Sequence, residues 1–328
     1  TEYLWTDFWV NSSNGSSLSL SRFSVKLSDG FYAEYSGNFT IDSVSQIFSG
    51  TITGFTVKNI DTSQTYYTGS GFSLNINSST VESLDISSVI ATSLSGNDVI
   101  SGGSGSDYLM GFAGNDSLAT NAGDDTLVGG NGRDTLDGGT GIDTALYADK
   151  ITSVVVALNG ATSVNVSVGG SVEDSMKNIE NVTGGSAADT LSGDALANIL
   201  IGNAGNDVLN GLGGNDVLIG GAGKDTLDGG FGIDTADYSD KTTSVVVTLN
   251  GATNATVTIG GVAEDTIRNI ENITGGSAAD TLTGDGLTNI IKGGAGNDIL
   301  DGGAGIDTLD YSGSSTSVIR SEEHTSEL

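Results

Sequence analysis

The sequence lacks cysteine and proline altogether, in a chain of 328 residues. Without cysteine there is neither a disulfide framework nor a thiolate metal site. Without proline there is no X–Pro bond whose slow isomerisation could delay folding. Neither absence assigns a compartment, because an exported protein can be held together by metal ions instead of disulfides.

Basic residues are scarce: 11 Lys and Arg stand against 41 Asp and Glu, for a formal net charge of −30. Nucleic acid and anionic membrane surfaces would repel such a chain, so we exclude both as favoured partners and expect cations instead. An acidic, glycine-rich chain could also be disordered. Against disorder, 36% of the residues are hydrophobic and they recur at fixed spacing.

Long apolar runs are also missing, and the sequence has a single histidine. No apolar run approaches the roughly 18 residues of a membrane-spanning helix, so we expect no spanning segment. The one histidine, His324, lies in RSEEHTSEL (320–328), which matches the translation of a common sequencing adapter. We treat these nine residues as an artefact. Because no signal-peptide pattern follows Thr1, we expect the chain to be an internal fragment.

What the sequence has in abundance is glycine, 51 residues in all, and an aspartate that returns every nine residues. At sixteen such positions the residue two places later is apolar: Leu or Ile in fourteen, and Ala145 and Ala236 in the others. The positions are Asp98, Asp107, Asp116, Asp125, Asp134 and Asp143; Asp189, Asn198, Asp207, Asp216, Asp225 and Asp234; and Asp280, Asn289, Asp298 and Asp307. A fixed period of this kind predicts a repeat architecture.

The sequence also repeats with a longer period of 91 residues. This period separates Asp143 from Asp234 and Asp189 from Asp280, whereas Asp307 follows Asp234 after 73 residues, two nonapeptides fewer. Repeat number therefore varies in whole turns, as expected of a solenoid whose turns stack on one another.

Two related inserts separate the blocks. Each has a valine-rich run followed by an Asn-Gly pair, Asn159-Gly160 or Asn250-Gly251, which predicts a β-hairpin. In the first insert, the next strand has Val164, Val166 and Val168 on one face. The closing segments KNIENVTGG and RNIENITGG are predicted to form the first rung of the following block.

The predicted organisation covers the whole chain. Both tryptophans lie in an alternating, Gly- and Ser-broken N-terminal region that predicts a small all-β domain. The predicted parts are this domain (1–78), a connector that is a short helix or cap (79–95), block one (96–146), insert one (147–183), block two (184–237), insert two (238–274), block three (275–310), a truncated third insert (311–319) and the adapter artefact (320–328).

The chemistry of the repeat, Gly-Gly-x-Gly-x-Asp-x-Leu-x, points to a metal. The apolar residue points inward from a short strand, and the glycines permit the positive φ of a tight turn. Stacked turns place the aspartates about 4.8 Å apart, where bare carboxylates would repel. A hard cation bridged by carboxylate and turn carbonyl oxygens removes the repulsion, which favours calcium. The alternative is a metal-free β-solenoid with solvated, outward carboxylates.

This pattern resembles the RTX (repeats-in-toxin, haemolysin-type) calcium-binding family over about residues 96–310. The resemblance implies an all-β fold: parallel β-roll blocks with two nonapeptides per coil, joined by β-hairpin inserts to an N-terminal antiparallel β domain. It implies calcium between turns on the same side, with on the order of ten ions at most. The implied pairs are Asp107 with Asp125, Asp116 with Asp134, Asp207 with Asp225, and Asp216 with Asp234.

The predicted calcium ligands are the repeat aspartates together with the middle glycine of each turn. The glycines are Gly105, Gly114, Gly123, Gly132, Gly205, Gly214, Gly223, Gly232, Gly296 and Gly305; the acids are the repeat aspartates named above except Asp189, thirteen in all. Asn198 and Asn289 replace aspartate, and Ala187, Leu196, Ala278 and Leu287 replace the middle glycine. We therefore expect the first two rungs of blocks two and three to stack without binding well. Thr120-Asn121 replaces a Gly pair and puts the turn before Asp125 in question.

Catalysis is not expected. With His324 set aside, no histidine remains for a Ser-His-Asp triad, an H-E-x-x-H zinc site or a Cys-His pair. The paired carboxylates could suggest glycoside hydrolysis, but calcium already explains their spacing.

The family resemblance implies a secreted or cell-surface bacterial protein that leaves the cell unfolded by type I secretion and folds on extracellular calcium. We interpret the chain as a non-catalytic fragment of a large adhesin-like protein; a surface-layer component is a further use within the family. The alternative is the calcium-binding C-terminal region of a secreted hydrolase or toxin. A surface or glycan ligand for residues 1–78 is left open.

Overall fold

A computed structural model describes residues 5–13, 17–26, 31–42, 48–59, 65–77 and 96–313. Within these ranges every regular element is a β-strand. The chain divides into two compact units, Thr1–Asp149 with Leu158–Asn181, and Lys150–Ala157 with Val182–Leu328. The predicted connector, the adapter segment and residues 314–319 of the truncated third insert lie outside the described residues.

Five long strands open the first unit: β1 (Trp5–Ser13), β2 (Ser17–Lys26), β3 (Phe31–Asp42), β4 (Phe48–Asn59) and β5 (Thr65–Asn77). Each pairs antiparallel with the next, as the alternating sequence predicts. Strand β5 also pairs antiparallel with the first strand of block one, through Gly69 and Ile100. These strands share a compact unit with block one, and the domain boundary at residue 78 stays a prediction.

Block one is a roll of three-residue strands, two nonapeptides to a coil. Its strands are β6 (Val99–Ser101), β7 (Tyr108–Met110), β8 (Ser117–Ala119), β9 (Thr126–Val128), β10 (Thr135–Asp137) and β11 (Thr144–Leu146). Even-numbered strands pair in parallel on one side, and odd-numbered strands on the other. Leu118 therefore lies opposite Leu136, eighteen residues along. The predicted parallel β-roll is confirmed.

The core of the roll is one apolar side chain deep. The middle residue of each block-one strand is the one two places after the repeat aspartate, and it is at most 1% exposed. Full burial of a Leu is worth about 1.5–3 kcal/mol. Because each turn contributes only one such side chain, stability depends on stacking between neighbours.

The remaining strands continue the pattern. They are β12 (Val154–Ala157), β13 (Val164–Val168), β14 (Ser171–Lys177), β15 (Asn181–Thr183), β16 (Thr190–Ser192), β17 (Ile199–Ile201), β18 (Val208–Asn210), β19 (Val217–Ile219), β20 (Thr226–Asp228), β21 (Thr235–Asp237), β22 (Val245–Thr248), β23 (Ala255–Ile259), β24 (Val262–Arg268), β25 (Asn272–Thr274), β26 (Thr281–Thr283), β27 (Ile290–Lys292), β28 (Ile299–Asp301) and β29 (Thr308–Asp310). In block two, β16, β18 and β20 stack in parallel on one side, and β17, β19 and β21 on the other.

Insert two is built into the roll. On one side β20 pairs in parallel with β24, β24 antiparallel with β23, β23 antiparallel with β22, and β22 in parallel with β26. On the other side β25 alone lies between β21 and β27. The segment RNIENITGG supplies β25, in agreement with its predicted role as a rung. The insert thus adds three strands to one sheet and one to the other.

In insert two the predicted hairpin is present, because β22 and β23 on either side of Asn250-Gly251 pair antiparallel, and each insert contains a second, tighter hairpin further along the chain. The two-residue turns are Gly169-Gly170, joining β13 to β14, and Gly260-Gly261, joining β23 to β24, and all four glycines have positive φ. Asn250 opens the wider turn between β22 and β23, in which the Thr253 N–H donates to the Asn250 carbonyl at 3.1 Å. Gly-Gly suits a turn with two positive φ values as well as Asn-Gly does, so both pairs in the sequence are turn signals.

Candidate metal centre

The middle glycine of each turn lets neighbouring coils approach closely. Gly132 has φ of +132°, a backbone conformation that side chains disfavour. A Cβ added at Gly132 would overlap the carbonyl oxygen of Gly114, the equivalent glycine one coil earlier. The predicted middle glycines therefore bring turn carbonyls together, one above the other.

The repeat aspartates form columns joined by hydrogen bonds across the coils. The backbone N–H of Asp107 donates to Oδ1 of Asp125 at 2.7 Å, and that of Asp116 to Oδ1 of Asp134 at 2.8 Å. All four predicted pairs are brought together in this way, including Asp207 with Asp225 and Asp216 with Asp234, both at 2.8 Å. The same bond joins Asp98 to Asp116, Asp125 to Asp143, Asp189 to Asp207 and Asp280 to Asp298.

The second carboxylate oxygen provides the test of whether these residues fit a cation. In eight repeat aspartates, each at most 3% exposed, Oδ2 is buried and has no hydrogen-bond partner within the described residues. They are Asp98, Asp116, Asp125, Asp143, Asp207, Asp216, Asp225 and Asp234. A buried oxygen that carries charge and lacks a partner is costly unless a cation compensates it. The residues present therefore fit calcium.

A second glycine makes room for these oxygens. Oδ2 of Asp207 lies against the Cα of Gly202, five residues earlier, and a Cβ there would overlap it. Our candidate ligands included the middle glycine of each turn and missed this first one, although the repeat contains it. The glycines in this position are Gly102, Gly111, Gly129, Gly138, Gly184, Gly193, Gly202, Gly211, Gly220, Gly229, Gly275, Gly284, Gly293 and Gly302.

Burial also raises the pKa of aspartate carboxyl groups in the columns. It raises the pKa of Asp116, Asp207 and Asp216 to about 6, and that of Asp143 to about 7. For Asp116 the hydrogen bond from Asp98 opposes the rise, and the neighbouring carboxylate of Asp134 adds to it. A divalent cation would offset both burial and repulsion.

Four further acids extend the columns beyond the blocks. Asp174 accepts the Asp134 N–H on Oδ1 at 2.8 Å, and Glu180 accepts that of Asp143 on Oε2 at 2.9 Å. Asp265 and Glu271 do the same in the second insert. Sequence analysis missed all four because they break the nine-residue spacing. The pattern of an acid two places before an apolar residue would have found them, since Met176, Val182, Ile267 and Ile273 follow.

The departures from the repeat have local explanations. In the first rungs of blocks two and three, Oδ2 of Asp189 and Asp280 accepts an N–H of its own turn, from Gly185 and Gly276 at 2.6 and 2.7 Å. The asparagines of the second rungs accept in the same way, Asn198 from Asp194 and Asn289 from Asp285. These bonds support the expectation that such rungs stack without binding well.

The Thr120-Asn121 substitution preserves its turn. Asn121 adopts the left-handed conformation, with φ of +72°, and its side-chain amide donates to the Gly102 carbonyl at 2.9 Å. Thr120 donates through Oγ1 to the Gly138 carbonyl at 2.5 Å. Asn tolerates positive φ better than most residues, so the turn before Asp125 is intact. At the far end of the roll, Asp298 and Asp307 are only half-buried.

Carboxylates alone do not complete a site. Among residues 96–313 no three Asp, Glu or His side chains converge on one point. Calcium takes 6–8 oxygen ligands. Two stacked carboxylates would therefore need the turn carbonyls that the glycines bring together.

The fold and the columns define a parallel β-roll whose stacked glycine turns present paired carboxylates. A family model, the RTX calcium-binding nonapeptide repeat in four copies, matches residues 92–118, 110–145, 183–218, 201–236 and 274–309. Over these residues the repeats are RTX calcium-binding nonapeptide repeats, which confirms the resemblance seen in the sequence.

Comparison with solved structures gives 33 matching chains. One is the extracellular lipase LipA from Serratia marcescens, at 22% identity and a TM-score of 0.14. The match covers 54% of this chain and 37% of the lipase chain. No curated protein matches significantly. In the part of the chain that the structure describes, no helix is long and apolar enough to cross a membrane.

Proposed function

We propose that the repeat aspartates hold calcium ions between stacked turns, and that these ions switch the chain from unfolded to folded. The buried, partnerless Oδ2 atoms are the observation that carries the proposal. The ions would be held by carboxylates of residues eighteen apart and by carbonyls of the glycine turns. When bound, calcium supplies positive charge and oxygen bridging between coils, for on the order of ten ions at most.

The coupling of folding to calcium follows from charge and core size. The thin core leaves little stability to oppose repulsion within the carboxylate columns. Metal-binding free energy then becomes folding free energy. Extracellular calcium modules bind at roughly 10⁻⁴–10⁻³ M, so the chain would stay unfolded at cytosolic calcium and fold outside the cell.

The setting that we propose is extracellular or on a bacterial cell surface, reached by type I secretion. A chain without cysteine or proline has no disulfide to form and no slow prolyl step after export. The five antiparallel strands at the N-terminal end and the repeated 91-residue modules favour a non-catalytic role in a large adhesin-like protein.

The test is far-UV circular dichroism of residues 1–319 during a calcium titration that starts in chelator. We expect a disordered spectrum to convert cooperatively to a β spectrum at sub-millimolar to millimolar calcium. Magnesium at the same concentration is the control and should leave the chain disordered, because it needs stricter octahedral geometry. A chain that is fully β in chelator and indifferent to calcium would be a metal-independent scaffold, contrary to the proposal.

A further inference from the structure

The ammonium group of Lys241 lies at the end of block two. The Lys241 side chain is only 10% exposed, and its ammonium donates to the Gly221 carbonyl and, at 3.0 Å, to Oδ2 of Asp240. The Lys241 backbone is fixed on both sides: its N–H donates to Tyr238, and its carbonyl accepts the Ser277 N–H, both at 2.9 Å. The charge is thus held in a defined place.

The Gly221 carbonyl belongs to the stacking pattern of the turns. In earlier turns the equivalent carbonyl accepts the backbone N–H nineteen residues later: Asn203 from Ala222 at 2.6 Å, and Leu212 from Phe231 at 2.8 Å. Nineteen residues after Gly221 the chain has entered the insert, and no further glycine turn stacks there. The Lys241 ammonium occupies the position that the next turn would otherwise fill.

The acid column nevertheless runs one step further. Asp225 donates its N–H to Oδ1 of Asp265 at 2.8 Å, as in every step before it. Asp265, however, lies within β24 rather than at the end of a glycine turn. At this step only the turn that contains Gly221 offers carbonyls, so a calcium ion there would have fewer ligands than one held between two stacked glycine turns.

The electrostatics of this step agree with a resident positive charge. Burial raises the pKa of Asp265 to about 7 and also raises that of Asp225, and Lys241 acts in the opposite direction on both. The neighbouring carboxylates of Glu264 and, for Asp225, Asp240 add to the rise.

We propose that Lys241 is a tethered cation that replaces calcium at the step from Asp225 to Asp265 and so closes the calcium column of block two. This proposal rests on the proposed calcium function and specifies where binding stops. A covalently attached ammonium needs no free ion, so in the folded roll this end of the column has a positive charge without calcium. The sequence Tyr-x-Asp-Lys recurs at 147–150, whereas the third insert begins Tyr-Ser-Gly-Ser and lacks the lysine.

The experiment counts bound calcium in residues 1–319 by native mass spectrometry and isothermal titration calorimetry. Lys241→Met removes the charge and keeps most of the aliphatic stem, and Lys241→Arg keeps the charge. Lys224→Met is the matched control, because Lys224 is exposed in the turn that contains Gly221. We expect Lys241→Met to bind one calcium ion more than the wild type, and the other two variants to bind the wild-type number.

An unchanged count in Lys241→Met, with the same calcium midpoint as Lys224→Met, would overturn the role of Lys241. It would leave the calcium function intact, whereas a wild type that binds no calcium would refute the function itself. If Lys241→Met does not fold, the double variant Lys241→Met/Asp265→Asn decides. Folding with the wild-type number of ions supports charge replacement, and failure to fold shows that the lysine is needed for packing instead.

Discussion

At the scale of single residues, two glycines of each nonapeptide have different structural roles. The middle glycine provides positive φ and lets carbonyls of successive coils approach, as Gly132 does over Gly114. The first glycine leaves room for a carboxylate oxygen, as Gly202 does for Asp207. The repeat therefore contains both the candidate ligand and the glycine that leaves room for it. The roles of the two glycines can be tested separately.

Gly202→Ala tests the space reserved for the carboxylate. The added Cβ would overlap Oδ2 of Asp207 and press on the Gly220 carbonyl, and backbone cannot move aside cheaply. Overpacking of this kind costs about 1–3 kcal/mol. We expect a lower melting temperature in saturating calcium and a calcium midpoint shifted to higher concentration.

The control for Gly202→Ala is Gly286→Ala. No atom lies within 4 Å of a Cβ built at Gly286, and its φ is not positive in the strained range. This variant should match the wild type in both measurements. Equal losses in the two variants would show that the first glycine matters for chain flexibility rather than for room beside the carboxylate.

At the scale of elements, the strands were predictable where the period held and unpredictable where it broke. An acid two places before an apolar residue locates β18 and its neighbours, because one inward side chain per nonapeptide is all that the roll requires. Within insert two the spacing fails, and neither the three-strand path through β22, β23 and β24 nor the place of Asp265 follows from it. Long-range pairing decides both, and it leaves no local trace beyond β propensity.

Leu209→Ala tests whether stability depends on stacking between strands. Leu209 is fully buried in β18, between Leu191 and Leu227 of the adjacent strands. Removing a buried leucine side chain costs about 2–5 kcal/mol. We expect a loss in this range by chemical denaturation in saturating calcium. Leu300→Ala in β28, where the side chain is only half-buried, should cost clearly less, and similar losses would argue against coupling through neighbouring coils.

At the scale of the whole molecule, protons and calcium compete for the same columns. The net charge of −30 and the stacked carboxylates both oppose the metal-free fold at neutral pH. The carboxylates whose pKa is raised to about 6 or 7 bind protons in the folded state that the unfolded chain, with ordinary aspartate pKa values, has already released. Acid should therefore act on the columns as a weak substitute for metal.

Proton binding by the column carboxylates predicts opposite effects of acid on two properties: it stabilises the metal-free roll and weakens calcium binding. Between about pH 4 and pH 7 the folded state holds more protons than the unfolded state, so the stability of the metal-free roll falls as pH rises through this window. In chelator, we expect more β signal at about pH 5 than at about pH 8 by circular dichroism. Over the same range the calcium midpoint should rise on acidification, because calcium must displace the protons. A metal-free chain that loses β structure at the lower pH, or a calcium midpoint that ignores pH, would mean that the column carboxylates are neither buried nor bound to calcium.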